Sequence, residues 1–117
     1  MRKIKTICFD LDNTLCSTKG NLYLRSKPIK KNIEIVNKLY KKGFVIKIFT
    51  SRFMGRSNEN VKKAKKKGFL ITTKQLKKWK ISYHKLIMGK PSYDLIIDDK
   101  SFSYNKSWAS KIKKKYL

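Results

Sequence analysis

Ile4-Lys5-Thr6-Ile7-Cys8-Phe9-Asp10-Leu11-Asp12-Asn13-Thr14 decides how this chain is read. The apolar run from Ile4 to Phe9 has the near-continuous hydrophobicity of a strand buried in a parallel sheet. It stops at Asp10, and two carboxylates, an amide and a hydroxyl follow within five positions. Cys8 is expected to be buried within that strand.

The same pattern of apolar run and polar ending recurs along the chain. Phe44 to Phe49 closes on Thr50-Ser51-Arg52, and Asp94 to Ile97 closes on Asp98-Asp99. Helical signals lie between. Pro28 suits a first helical position, Ile29, Ile33, Val36 and Tyr40 recur at helical spacing, and Gly43 is a stop. Ser57 or Asn58 can cap a short helix with Val61 and Ala64 on its apolar side, ending at Gly68. Phe69 to Ile71 reads as a short strand. Thr72 and Gln75 are spaced as a capping box for a helix through Trp79. A basic helix runs from Trp108 to Leu117. Trp79 and Trp108 read as core or interface anchors. Strands alternating with helices predict an α/β fold, a three-layer Rossmann-like parallel sheet with helices on both faces. The 117 residues make one domain, 1–117, with a small flap at about 15–27 around Lys19-Gly20-Asn21.

In such sheets ligands bind beyond the carboxyl ends of the strands, so the three polar endings are expected on one edge. Lys90, eight residues before Asp98, is within reach of that crevice. Asp10 and Asp12 are two apart, and if the strand continues both point to one side. Neighbouring carboxylates repel, and Asp98 or Asp99 would add further oxygen ligands for a cation. A carboxylate set without His or Cys suits Mg²⁺. Lys90 would add fixed positive charge and Thr50 a hydroxyl donor. Phosphoryl transfer needs mainly this positioning and charge neutralisation.

Asp10-Leu11-Asp12-Asn13-Thr14 resembles the DxDxT motif of the haloacid dehalogenase (HAD) superfamily. Thr50, Lys90 in Gly89-Lys90-Pro91, and Asp98-Asp99 are similar to its second, third and fourth motifs, in family order. The resemblance covers roughly residues 4 to 100. It implies an HAD-type phosphatase in which Asp10 is the nucleophile and forms an aspartyl-phosphate. Asp12 would be the acid and then the base, and Thr50 would bind the phosphoryl group. Lys90 would stabilise the charge. Mg²⁺ would be held by Asp10, Asp98 and Asp99 and by Asp12 through its backbone carbonyl, with the direct ligand between Asp98 and Asp99 left open. The stretches between Asp12 and Pro28 and between Thr50 and Lys90 are too short for a cap domain. The phrases around Arg52 and Lys90 are similar to small phosphatases of capsule and surface-polysaccharide biosynthesis, which implies a sugar or polyol phosphate substrate. Asn13, Ser51, Arg52 and His84 are candidate substrate contacts, with Arg56, Tyr23 and Tyr83 beside them. His84 reads first as structural.

The formal net charge is +24. Of 31 basic residues 27 are Lys and four are Arg, and Lys is spread over the whole chain, so the excess reads as compositional. A 3′-phosphatase on nucleic-acid ends is the alternative, and an inactive basic binding module a third reading. Cys8 and Cys16 lack metal-ligand spacing and are expected to be reduced thiols. No leader pattern and no membrane span is visible, so a cytoplasmic protein is expected, with no membrane partner. An open, capless site points to a homo-oligomer.

Overall fold

The first apolar run forms β1 (Thr6–Asp10). Ile4, counted with it from sequence, lies outside the residues described by this computed structural model, which are 5–102 and 104–117, without the side chain of Arg56. A tight loop then leads into a two-stranded hairpin, β2 (Cys16–Ser17) antiparallel to β3 (Lys27–Pro28), with a single 3-10 turn at Tyr23–Arg25 between them. This is the expected flap. Pro28, expected to open the next helix, is instead part of this ladder. The Ile29 N–H donates to the Leu15 carbonyl, so the chain stays extended and α1 (Lys30–Lys42) starts two residues later. Gly43, at φ 104°, ends α1 by donating to the carbonyls of Leu39 and Tyr40.

β4 (Val45–Thr50) lies in the middle of a parallel sheet, between β1 and β5 (Lys85–Met88). The register pairs Phe9 with Ile48 and Ile48 with Leu86. Directly paired residues share a face, so Phe9, Ile46, Ile48, Leu86 and Met88 form one apolar surface. Ile33, Ile35, Val36 and Leu39 of α1 close over it. Trp108, Ala109 and Ile112 of α3 (Trp108–Tyr116) join them in one buried cluster. The Trp108 ring meets Phe9 at 5.6 Å between centroids.

One helix, α2 (Val61–Lys78), replaces the expected helix, strand and helix between β4 and β5. Asn60 caps it by accepting from the Lys63 N–H at 3.0 Å. Gly68 is not a stop. Ala64, Gly68, Thr72 and Leu76 recur every four residues as its buried stripe. A side chain at Gly68 would collide with the Phe53 ring and crowd Met88, so the glycine is a packing device. Phe69 to Ile71 simply continues the helix, where Phe69 and Leu70 remain exposed.

The sheet order runs β1-β4-β5 in one direction. Right-handed crossovers that step the same way put their helices on the same face. Helix cover is therefore found on one face, where both were expected. On the other face Cys8 and Lys85 are exposed, and Lys47, Phe49 and Ile87 are half-buried. The buried Cys8 expected from sequence is corrected by the same fact. Residues 94–97 do not form the anticipated strand. Leu95 and Ile97 are among the most exposed apolar residues, and among the described strands none pairs with the outer edge of β1. Docking there would carry two more carboxylates toward Asp10 and Asp12, whose cationic partners are Lys90 and Arg52. No described helix is long and apolar enough to cross a membrane.

Because the Gly68 position is closed by Phe53, Gly68→Val should destabilise the fold by about 1–3 kcal/mol despite removing a helical glycine. Urea denaturation followed by circular dichroism reads this directly.

Candidate active site

Asp10 is the last residue of β1, and Lys90 follows β5 by two positions. The sheet brings them together: Lys90 Nζ lies 3.4 Å from Asp10 Oδ1. The backbone helps, since the Lys90 N–H donates to the Thr50 carbonyl at 3.1 Å and so anchors the loop after β5 to the end of β4. Thr14 donates to Asp10 Oδ2 at 3.5 Å. Burial raises the Asp10 pKa above the ordinary carboxylate value, and this outweighs the opposing pull of Lys90 and the Leu11 N–H. Burial acts against the Lys90 ammonium, but the hydrogen bond to Tyr93 and the charge of Asp10 hold its pKa above the ordinary lysine value. The Lys90 ammonium also sits over the Tyr93 ring, 5.2 Å from its centroid.

The loop after β1 turns on the Leu11 carbonyl, which accepts from the N–H groups of Thr14, Leu15 and Cys16. Leu11 and Leu15 are fully buried and pin the turn, while Asn13 takes the left-handed conformation at φ 63°. Asn13, a candidate substrate contact, is committed to this turn. Its side chain accepts from the Thr18 N–H, and its carbonyl accepts from the Tyr104 hydroxyl at 2.9 Å.

The turn delivers Asp12 to Arg52. The Nε of Arg52 donates to both Asp12 oxygens, at 3.1 and 2.9 Å, and Nη2 donates to Oδ1 at 2.9 Å. Arg52 has no exposed surface. Its Nη1 donates to Thr72 and Gln75, and its guanidinium lies over the Tyr23 ring at 5.0 Å. As a direct substrate contact Arg52 is therefore corrected: its donors are spent inside the protein. Thr72 and Gln75, expected as a capping box, are in the middle of α2 and serve as Arg52 acceptors. Their spacing of three puts both on one helix face, which fits either role.

Thr50 is buried, and its Oγ1 accepts from the Arg52 N–H at 3.2 Å. The register pairs Asp10 with Phe49, so Asp10 and Thr50 leave their strands on opposite faces. Ser51 is half-buried beside it. His84 is at the far end of the sheet. Its N–H donates to the Ile46 carbonyl, its Nδ1 accepts from the Ile46 N–H at 2.9 Å, and its ring stacks on Tyr40. His84 is thus placed at the opposite sheet end from Asp10 and Lys90. Tyr83 packs against the main core.

Asp98 and Asp99 are exposed and lie outside the sheet. The Asp98 pKa is lowered, chiefly by the Lys100 N–H that its carboxylate accepts, with Asp99 as the second partner. Among the described residues no three His, Cys, Asp or Glu side chains gather as a metal centre. The magnesium set expected from sequence is therefore divided here: Asp10 and Asp12 are at the sheet end, and Asp98 and Asp99 are apart from them.

A solved structure from Vibrio cholerae, described as MCSG Target APC26283, has the same fold. It superposes with a TM-score of 0.78 at 29% sequence identity, over 95% of this chain and 98% of that one. No family model and no curated protein matches the chain.

Lys90 lowers the Asp10 pKa, so Lys90→Met should raise it further from its already raised value. A carboxyl-carbon NMR titration of Asp10 in both proteins measures this. An Asp whose folded pKa lies above its unfolded pKa loses stability as pH rises between the two, and the variant should widen that window upward.

Proposed function

We propose that this protein is a phosphomonoester hydrolase of the HAD type that works through an aspartyl-phosphate on Asp10. The observation that carries the reading is the Asp10–Lys90 pair, a partly buried carboxylate and ammonium held 3.4 Å apart at the end of a parallel sheet. The DxDxT resemblance supports it.

In the proposed reaction an Asp10 oxygen attacks phosphorus, and the bond from phosphorus to the leaving oxygen breaks. Asp12 gives a proton to that oxygen. Water then attacks the aspartyl-phosphate, Asp12 takes a proton from it, and Asp10 is released as a carboxylate with inorganic phosphate. Lys90 offsets the charge that gathers on the phosphoryl oxygens. The buried Thr50 serves the phosphoryl group if its hydroxyl becomes accessible at the sheet end.

Magnesium would supply charge neutralisation between Asp10 and the phosphoryl group. The described arrangement does not gather the set for that ion, because Asp98 and Asp99 lie apart from Asp10 and the Asp12 carbonyl. Magnesium dependence stays in the proposal as a requirement on residues 94–99, which must come to the free edge of β1 for it to hold. That edge and the exposed Leu95, Ile96 and Ile97 suit each other chemically. The substrate proposed is a sugar or polyol phosphate of surface-polysaccharide synthesis, reached through an open site with a flap and no cap domain.

Phosphate release from hexose, heptose, pentose and glycerol phosphates and a 3′-phosphorylated oligonucleotide tests the reading. A sugar or polyol phosphate should be turned over, and Asp10→Asn should lose about 10³-fold or more. A chelator should stop turnover, and Mg²⁺ should raise the melting temperature of wild type but not of Asp98→Ala. Turnover that survives Asp10→Asn contradicts the mechanism, and turnover that survives the chelator removes magnesium alone.

A further inference from the structure

Arg52 is the only arginine whose buried side chain enters the site among those described, and every one of its guanidinium nitrogens has an acceptor within the protein. The acceptors belong to three separate segments. Asp12 is in the loop after β1, Ser26 in the flap at 3.3 Å, and Thr72 and Gln75 in α2. Cys16 Sγ, at 3.7 Å, opens the flap. Gln75 also donates to the Tyr23 carbonyl at 2.6 Å, so α2 and the flap are joined on the far side of the guanidinium.

The contacts on Asp12 are asymmetric. Oδ1 receives Arg52 Nε and Nη2, the Thr18 hydroxyl at 2.5 Å and the Cys16 thiol at 3.5 Å. Oδ2 receives Arg52 Nε at 2.9 Å, the shorter of its two branches, and among the described residues no second donor. The free hydrogen-bonding capacity of this carboxylate therefore lies at Oδ2, and its side chain keeps 21% of its surface exposed. A carboxylate held side-on by a guanidinium has both oxygens in fixed directions.

We propose that Arg52 is a positioning residue that holds Asp12 side-on, with Nη2 on Oδ1 and Nε shared between both oxygens, so that the less crowded Oδ2 exchanges the proton with the leaving oxygen and then with water. This rests on the phosphatase reading, in which Asp12 is the acid and base. Arginine is required because a lysine has one nitrogen and cannot span Asp12 on one side and Gln75 on the other.

The test is kcat/KM of wild type, Arg52→Lys and Gln75→Leu on two substrates. Glycerol phosphate has an alkoxide leaving group that must be protonated, whereas p-nitrophenyl phosphate releases a phenolate that needs no proton. kcat/KM reports the first half-reaction, where that proton matters. Arg52→Lys should lose about 10–100-fold on glycerol phosphate, part of what a general acid supplies, and less than about 3-fold on p-nitrophenyl phosphate. Gln75→Leu touches neither Asp10 nor Asp12 and should show the same selectivity at smaller size; it decides the matter if Arg52→Lys does not fold. Equal losses on both substrates would mean a substrate contact or a structural role, and would overturn the proposal. A wild type that turns over neither substrate would instead fail the phosphatase reading, and the positioning role with it.

Discussion

The buried pair of Arg52 and Asp12 is the constraint on which the functional end of this molecule is arranged. Taking a guanidinium out of water is expensive, and removing one partner of such a pair generally destabilises by about 3–5 kcal/mol. The chain meets that demand from three directions, with acceptors from the loop after β1, the flap and α2. The tight turn on the Leu11 carbonyl, the short flap and the middle of α2 all converge on one cation. None of these segments is extensive enough alone to hold its position. The hairpin of β2 and β3 has two residues a side, and it keeps its place because Ser26, Thr18 and Tyr23 pack around Arg52.

A second charged pair lies at the same sheet end and has a different character. Asp10 and Lys90 are partly open, and neither belongs to the Arg52 network. Burial raises the Asp10 pKa while Lys90 pulls it down. The two aspartates are two positions apart in sequence but are held by different cations from different strands. This separation is what allows one to be assigned attack and the other proton transfer.

Much of this frame was legible in the chain. The strands ending at Asp10 and Thr50 are found where periodicity and composition put them, whereas Lys90 follows β5, a strand that the local pattern left unassigned. Other features were hidden for physical reasons. Gly68 carries the signal of a helix stop, but its role depends on a ring, Phe53, that approaches from another segment. Thr72 and Gln75 have the spacing of a cap, and only the tertiary position of Arg52 turns them into acceptors. Arg52 itself reads as an oxyanion ligand until its burial is known. His84 follows a local pattern that says nothing of which sheet end it occupies. The run from Asp94 to Ile97 has the composition of a strand, yet strand formation depends on a partner edge and on the charge brought with it. In each case the deciding interaction is long-range, beyond what a local pattern encodes.

The central claim is that Asp10 carries the phosphoryl group during turnover. Acid quench of the enzyme during steady-state hydrolysis of a sugar phosphate, followed by peptide mass mapping, tests it most directly. The account predicts a phosphoryl group on the peptide containing Asp10, at the aspartate itself, and none when Asp10→Asn is treated in the same way. Rapid turnover with Asp10 unmodified, or a phosphoryl group found on another residue, would contradict it.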